Sequence, residues 1–151
     1  MNTIPSFPAI ADLVLHSASM LLVESVVHWD ETGIDVIVNP ADSYLFFDAK
    51  GEVPSWVGIE YMAQAISAYA GREAVLSGEP LRIGFLLGTR KYTALVPSFP
   101  LQQKLSVKVR ELLRDETNLV LFDCAIYSDD VLVAQAEIKA IQPNNASAII
   151  N

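Results

Sequence analysis

A long helix with almost no polar face is the feature that most constrains how this chain can fold. After a Pro-Ser pair, Gly58 is the only early breaker, so the sequence predicts a helix from about Ser55 to about Leu76 with Ser55 as its N-cap. Apolar or small residues fill nearly every position from 56 to 70. Such a helix is expected to be buried on all sides, so the rest of the fold has to surround it.

Glu60 and Gln64 are the two strongly polar side chains of that apolar stretch. They lie four residues apart and therefore share one face of the helix, where an amide can orient a carboxylate. A buried carboxylate is costly unless it has a partner or a function. Two interpretations follow, a structural Glu-Gln hydrogen bond in a core and an acid with a catalytic role.

The remainder of the chain has the pattern of antiparallel strands. The sequence predicts a first hairpin and a later three-stranded meander, with one strand after the helix and a rigid Pro-containing crossing before the meander. The predicted ranges are 21–29 and 34–38 for the hairpin, 83–92 for the single strand, 97–100 for the crossing, and 105–113, 119–127 and 131–141 for the meander.

Two strands, one helix and four strands predict an α+β hot-dog fold, in which a curled antiparallel sheet wraps around one long central helix. We expect a single domain over residues 1–151, with a core from about 13 to 142. Such a sheet leaves an edge strand and part of the helix uncovered. Pairing with a second copy or with a related subunit is therefore expected, as a homodimer or a heterodimer.

Composition excludes several classes of function. No segment approaches the roughly 20 apolar residues of a membrane span, and the N-terminus has no basic region typical of a secretory signal, so a cytoplasmic location is expected. The formal net charge of −8 argues against nucleic acid as a partner. Cys124, the one cysteine, lies in an alternating strand pattern typical of a core residue, and His16 and His28 are too few to complete a zinc site.

The charges are distributed unevenly. Seven basic residues and one acidic residue lie between Arg82 and Arg114. Alternate residues such as Lys104, Lys108 and Arg110 are typical of a solvated sheet face, whereas the whole cluster also fits a docking patch for an acidic partner. Charge alone does not choose between the two.

Three segments resemble 3-hydroxyacyl-(acyl carrier protein) dehydratases. Pro54-Ser-Trp-Val-Gly-Ile-Glu-Tyr-Met-Ala-Gln64 is similar to the start of the family's helix, and residues 15–26 are similar to its first strand. Residues 88–100 resemble a later segment in which Tyr92 and Pro97 occupy matching positions. The sequence of the helix start, residues 58–64, is most similar to that of the divergent dehydratase subunits of aryl-polyene pigment pathways.

The resemblance implies elimination of water from a 3-hydroxyacyl thioester to give a trans-2-enoyl thioester. The substrate would arrive on the phosphopantetheine arm of an acyl carrier protein, and no other cofactor is implied. Glu60 would be the catalytic acid and Gln64 its companion amide, while backbone amides at Ser55 and Trp56 would polarise the thioester oxygen. The resemblance also places Phe46 and Phe47 beside the substrate, and the acidic carrier protein would dock on Arg82, Arg90 and Lys91.

The chain departs from the family at the catalytic base. The family's histidine lies fourteen residues before the acid, and Phe46 occupies that position here. His16 matches a histidine of the family that is not catalytic, and His28 is expected to be exposed beside an acidic turn. A partner subunit that supplies the histidine would complete the site. Two alternatives remain, a partner that binds acyl chains without catalysis and an acyl thioesterase in which Glu60 activates water.

Overall fold

The computed structural model describes residues 7–13, 21–79 and 85–141. Its main body is a six-stranded antiparallel sheet with the order β1-β2-β6-β7-β8-β4, and one long helix packs on one face of that sheet. A separate two-stranded ladder joins β3 to β5. The bounds are β1 Val23–Trp29, β2 Gly33–Val38, β3 Val53–Pro54, α1 Gly58–Ser77, β4 Phe85–Ala94, β5 Ser98–Phe99, β6 Leu105–Arg114, β7 Leu119–Ser128 and β8 Val131–Ile141.

The hairpin and the meander form where the sequence predicts them, because their turns have suitable residues. Between β1 and β2, the Asp30 carboxylate accepts hydrogen bonds from the N–H groups of Thr32 and Gly33 at 2.8 and 3.0 Å. Between β7 and β8, Asp129 and Asp130 take left-handed conformations with φ of 50° and 66°. Two left-handed residues match the twist of a tight hairpin, and aspartate tolerates that conformation better than most residues.

The helix begins differently from the prediction. Residues Ser55–Val57 form a 3-10 turn, and the α-helix proper begins at Gly58. Ser55 is not an N-cap, because Val57 holds that position in α1 and Pro54 holds it in the 3-10 turn. The Ser55 N–H donates to the carbonyl of Pro97 at 3.1 Å. The predicted crossing at 97–100 therefore contains strand β5, which pairs with β3 and holds the start of the helix.

The helix is not buried on every side in the single chain. Its sheet-facing positions are buried, but a stripe along another side remains half-buried, at Ile59, Glu60, Ala63, Ser67 and Ala70. The expectation of burial all round is thus wrong for one chain, since six strands cover only part of a helix circumference. The expectation that part of the helix stays uncovered is confirmed.

The core lies between α1 and the inner face of the sheet. Alternate residues of β6, β7 and β8 point into it, including Val107, Val109, Ile126 and Ile138, which are fully buried. Cys124 is also buried, as predicted, and behaves as a small core side chain. None of the helices in the described ranges is long and apolar enough to cross a membrane.

Candidate active site

Glu60 and Gln64 meet in the first turns of α1, as the spacing predicts. The Gln64 Nε2 atom donates to Oε1 of Glu60 at 3.2 Å, and Gln64 is fully buried while Glu60 is half-buried. On its other side, Gln64 Oε1 accepts a hydrogen bond from the N–H of Leu22 at 2.8 Å. The backbone just before β1 thus holds the amide, and the amide holds the carboxylate.

This chain of hydrogen bonds gives the amide one orientation. A backbone N–H can only donate, so the Gln64 atom facing Leu22 has to be the oxygen, and the NH₂ group has to face Glu60. Oε1 of Glu60 is the oxygen that faces this NH₂ group. When Glu60 is ionised, the same N–H stabilises its charge.

The N–H groups at the helix start differ in availability. The Ser55 N–H is engaged by the carbonyl of Pro97, which argues against it as a substrate donor in this conformation. No hydrogen bond of the described residues uses the N–H of Trp56. The positive end of the helix dipole lies at the same point. Of the two predicted amides, Trp56 is the one left to polarise a carbonyl oxygen.

The loop between β2 and β3 carries the predicted aromatic residues. A buried hydrogen bond of 2.6 Å between Ser43 Oγ and Tyr61 Oη ties this loop to α1, and burial raises the pKa of Tyr61 to about 12. Phe46 then contacts Trp56 edge to face, with ring centroids 6.0 Å apart. Phe46 and Phe47 are half-buried, while the Trp56 side chain is 59% exposed. An apolar wall with an open side therefore lies at the helix start.

A histidine base is missing beside this acid within the described ranges. His28 is exposed, as predicted, and hydrogen bonds to Asp30 at 3.2 Å in the β1–β2 turn. That turn contacts α1 at Tyr69, whose hydroxyl donates to the carbonyl of Glu31 at 2.7 Å. Tyr69 follows Glu60 by nine residues, which is about 13 Å along a helix. His16 lies outside the described residues.

Some positioning groups left no local pattern in the sequence, although the family resemblance singled out Tyr92. The Leu22 N–H, the Ser43 hydroxyl and the Tyr92 hydroxyl reach the helix from residues 18 to 42 positions away. No local pattern marks such partners. Gly58 gave a signal, because an isolated glycine in a helix often marks a close approach of another group. Here that group is the Tyr92 hydroxyl, which donates to the carbonyl of Ser55.

The basic residues of β6, and Lys104 just before it, are paired with acids. Lys104 binds Glu24 at 2.9 Å, and Arg110 binds Asp35 at 2.9 Å. Asp35 also lies 3.8 Å from Lys108, and Arg114 binds Glu111 at 2.6 Å. These contacts favour the sheet-face interpretation for β6.

The predicted carrier-protein cluster is described only in part. Lys91 is exposed in β4, with a left-handed φ of 55°. Arg90 lies on β4 in register with Glu137, but its side chain is not among the described ones. Arg82 lies outside the described residues altogether.

A family of known proteins matches nearly the whole chain. A model of the ApeP-like family, described as ApeP dehydratase, matches residues 8–151. The chain belongs to this family. Its chemistry is accordingly that of a hydro-lyase. No curated protein sequence matches the chain significantly.

Solved structures agree with the family. The dehydratase heterocomplex ApeI:P from Xenorhabdus doucetiae is similar with a TM-score of 0.87 and 26% identity, over 96% of this chain and 97% of that chain. A hypothetical thioesterase with coenzyme A from Streptococcus pneumoniae matches at 0.61 and 13% identity, over 78% and 84% of the two chains. Cj0977 from Campylobacter jejuni matches at 0.63 and 13% identity, over 94% and 91%. The last two share the hot-dog fold alone.

Proposed function

We propose that this chain is the acid-bearing subunit of a two-subunit 3-hydroxyacyl thioester dehydratase. The observation that carries the proposal is the Leu22–Gln64–Glu60 chain of hydrogen bonds, which holds a half-buried carboxyl group beside an open apolar wall. The substrate class implied by the resemblance is an acyl chain of the aryl-polyene type, carried by an acyl carrier protein.

In the proposed reaction, a base on the partner subunit removes the proton from the carbon next to the thioester carbonyl. Electrons move toward the carbonyl oxygen, where the Trp56 N–H stabilises the developing charge. The bond to the 3-hydroxyl group then breaks, and Glu60 Oε2 gives its proton to the leaving oxygen, which departs as water. Gln64 stabilises the carboxylate left behind, and solvent or the partner base returns the proton.

We infer a partner subunit because, among the described residues, neither Phe46 nor His28 is suited to act as the base. Phe46 carries no group that can accept a proton. His28 is exposed at the end of β1, beside a turn that contacts α1 at Tyr69, and Tyr69 lies nine residues after Glu60, about 13 Å along the helix. A second hot-dog subunit that brings a histidine to the uncovered side of α1 would supply the base. The similar ApeI:P structure is a dehydratase heterocomplex, which supports assembly from two different subunits.

The test is Glu60→Gln in the complex reconstituted with its hot-dog partner. The amide keeps the size of the side chain but has no acidic proton, so we expect the rate of enoyl thioester formation to fall at least about a hundredfold. Absorbance of the conjugated product measures that rate. Glu116→Gln, in the exposed β6–β7 turn, is the matched control and should leave the rate unchanged.

Three outcomes separate the alternatives. An unchanged rate with an altered melting temperature would indicate a structural Glu60 in a non-catalytic partner. Release of free thiol by the wild-type complex, without formation of the enoyl absorbance, would indicate a thioesterase. Loss of the enoyl absorbance in Glu60→Gln, with a melting temperature close to that of the wild type, supports the dehydratase.

Carrier-protein docking beside β4 is part of the same proposal. Lys91 is exposed, and no ion pair of the described residues involves it. Lys91→Glu should raise the KM for substrate on the carrier protein while leaving the KM for the same acyl group on free pantetheine unchanged. Lys104→Glu, at a cation that already binds Glu24, is the comparison, and an equal effect of both changes would refute the assignment.

A further inference from the structure

The peptide unit between Ser55 and Trp56 is held from its carbonyl side. The Tyr92 hydroxyl donates to the Ser55 carbonyl oxygen at 2.5 Å, and the N–H of Gly58 points at the same oxygen. A trans peptide is planar, and its N–H points away from its C=O. The N–H of this unit belongs to Trp56. Whatever fixes the Ser55 carbonyl therefore fixes the direction of the Trp56 N–H.

Tyr92 has room to make this contact only because residue 58 is glycine. A Cβ atom at Gly58 would lie 2.3 Å from the Tyr92 hydroxyl oxygen and 3.0 Å from Cδ1 of Ile126. Burial raises the pKa of Tyr92 to about 12, so the hydroxyl keeps its proton and remains a donor near neutral pH. A carbonyl oxygen has no proton to give, which makes the direction of the hydrogen bond unambiguous.

We propose that Tyr92 is a positioning residue that aims and polarises the Trp56 N–H toward the thioester carbonyl of the substrate. Hydrogen bonds in series strengthen one another, so a donor on the Ser55 oxygen makes the N–H of the same peptide a better donor. The hydroxyl also stops that peptide plane from tilting before substrate arrives. This inference rests on the proposed function, because it needs the thioester oxygen to lie at Trp56.

Tyr92→Phe isolates the hydroxyl, since the ring and its packing remain. Removing a whole oxyanion donor costs about 10²- to 10³-fold in kcat, and a group that only orients the donor should cost less. We expect kcat to fall about tenfold with KM within about twofold. Tyr127→Phe is the matched control, because that ring lies on the outer face of the sheet and contacts Lys108. A fall in kcat equal to that of the control would overturn the inference.

Gly58→Ala tests the same contact from the other side. The added methyl group displaces the Tyr92 hydroxyl, so we expect a loss of kcat at least as large as that of Tyr92→Phe. In the double variant the colliding oxygen is gone, and adding the methyl group should cost less than it does alone. Additive losses would count against a shared mechanism. If Gly58→Ala does not fold, Tyr92→Phe still decides.

An infrared measurement separates this inference from the proposed function. A saturated acyl pantetheine thioester with a ¹³C-labelled carbonyl binds without reacting, and its stretching frequency reports polarisation. We expect a lowered frequency in the wild-type complex and a return toward the solution value in Tyr92→Phe. A lowered frequency that Tyr92→Phe leaves unchanged would refute the role of Tyr92 alone. No lowering in the wild type would refute the placement of the thioester at Trp56, and both proposals with it.

Discussion

Gln64→Glu is the most informative perturbation of the acid site, because it changes one NH₂ group to an oxygen and little else. Gln64 is fully buried, accepts from the Leu22 N–H at 2.8 Å and donates to Glu60 at 3.2 Å. A carboxylate at position 64 keeps the acceptor for Leu22 but loses the donor. It also places two carboxyl groups within hydrogen-bond distance of each other.

Burial and the neighbouring acid both disfavour a charge at that position, so the introduced carboxyl group should have a raised pKa. A rise of about two units corresponds to about 2.7 kcal/mol. Between the unfolded pKa of about 4.3 and the raised folded value, the folded state binds more protons than the unfolded state, so stability falls as pH rises. The loss of stability caused by Gln64→Glu charge burial is small near pH 4 and reaches its full size above about pH 6.5.

Urea denaturation at about pH 5 and about pH 8, at one protein concentration, measures this difference. The free energy of unfolding of Gln64→Glu should fall by about 2 kcal/mol more than that of the wild type between the two pH values. Gln103→Glu, at an exposed residue, is the matched control. Adding Glu60→Gln should restore part of the lost stability, because position 60 then supplies the amide donor and position 64 the carboxyl acceptor. If Gln64→Glu and Gln103→Glu respond alike to pH, the buried hydrogen-bond chain is refuted.

Three further predictions concern the fold. Tyr61→Phe leaves the buried Ser43 hydroxyl without its partner and should lower the free energy of unfolding by about 1–3 kcal/mol in urea titrations. Gly33→Ala would place a Cβ 2.2 Å from a backbone carbonyl oxygen of β6 and should lower the free energy of unfolding by about 2–3 kcal/mol. Gly88→Ala, where a Cβ would meet nothing within 4 Å, should change thermal stability little. Equal effects of the two changes would contradict the packing at Gly33. Burial raises the pKa of the Cys124 thiol, so it should react with a chromogenic disulfide reagent only after denaturant unfolds the chain.

The sequence by itself determined the long elements, the helix α1 and the six strands of the main sheet, but not the short ladder of β3 and β5. The hairpin, the meander and the helix follow from short-range patterns, since residues two, three or four positions apart decide which face of an element is apolar. The Glu60–Gln64 hydrogen bond belongs to this class, because residues four apart on a helix are neighbours whatever else the chain does. The hot-dog order of elements then follows from the need to cover an apolar helix.

Only the tertiary structure decided how the helix start is held. The Leu22 N–H reaches Gln64 across 42 residues, and Tyr92 reaches the Ser55 carbonyl across 37. The carbonyl of Pro97 accepts from the Ser55 N–H, which the resemblance had assigned to the thioester oxygen. Lys104, just before β6, and Arg110, on β6, bind acids of β1 and β2. These contacts depend on strand order and register, which bring distant residues together without leaving a local pattern. For that reason the sequence predicted the Glu60–Gln64 pair, and the fold determined that Pro97 engages the Ser55 N–H while no hydrogen bond of the described residues uses the Trp56 N–H.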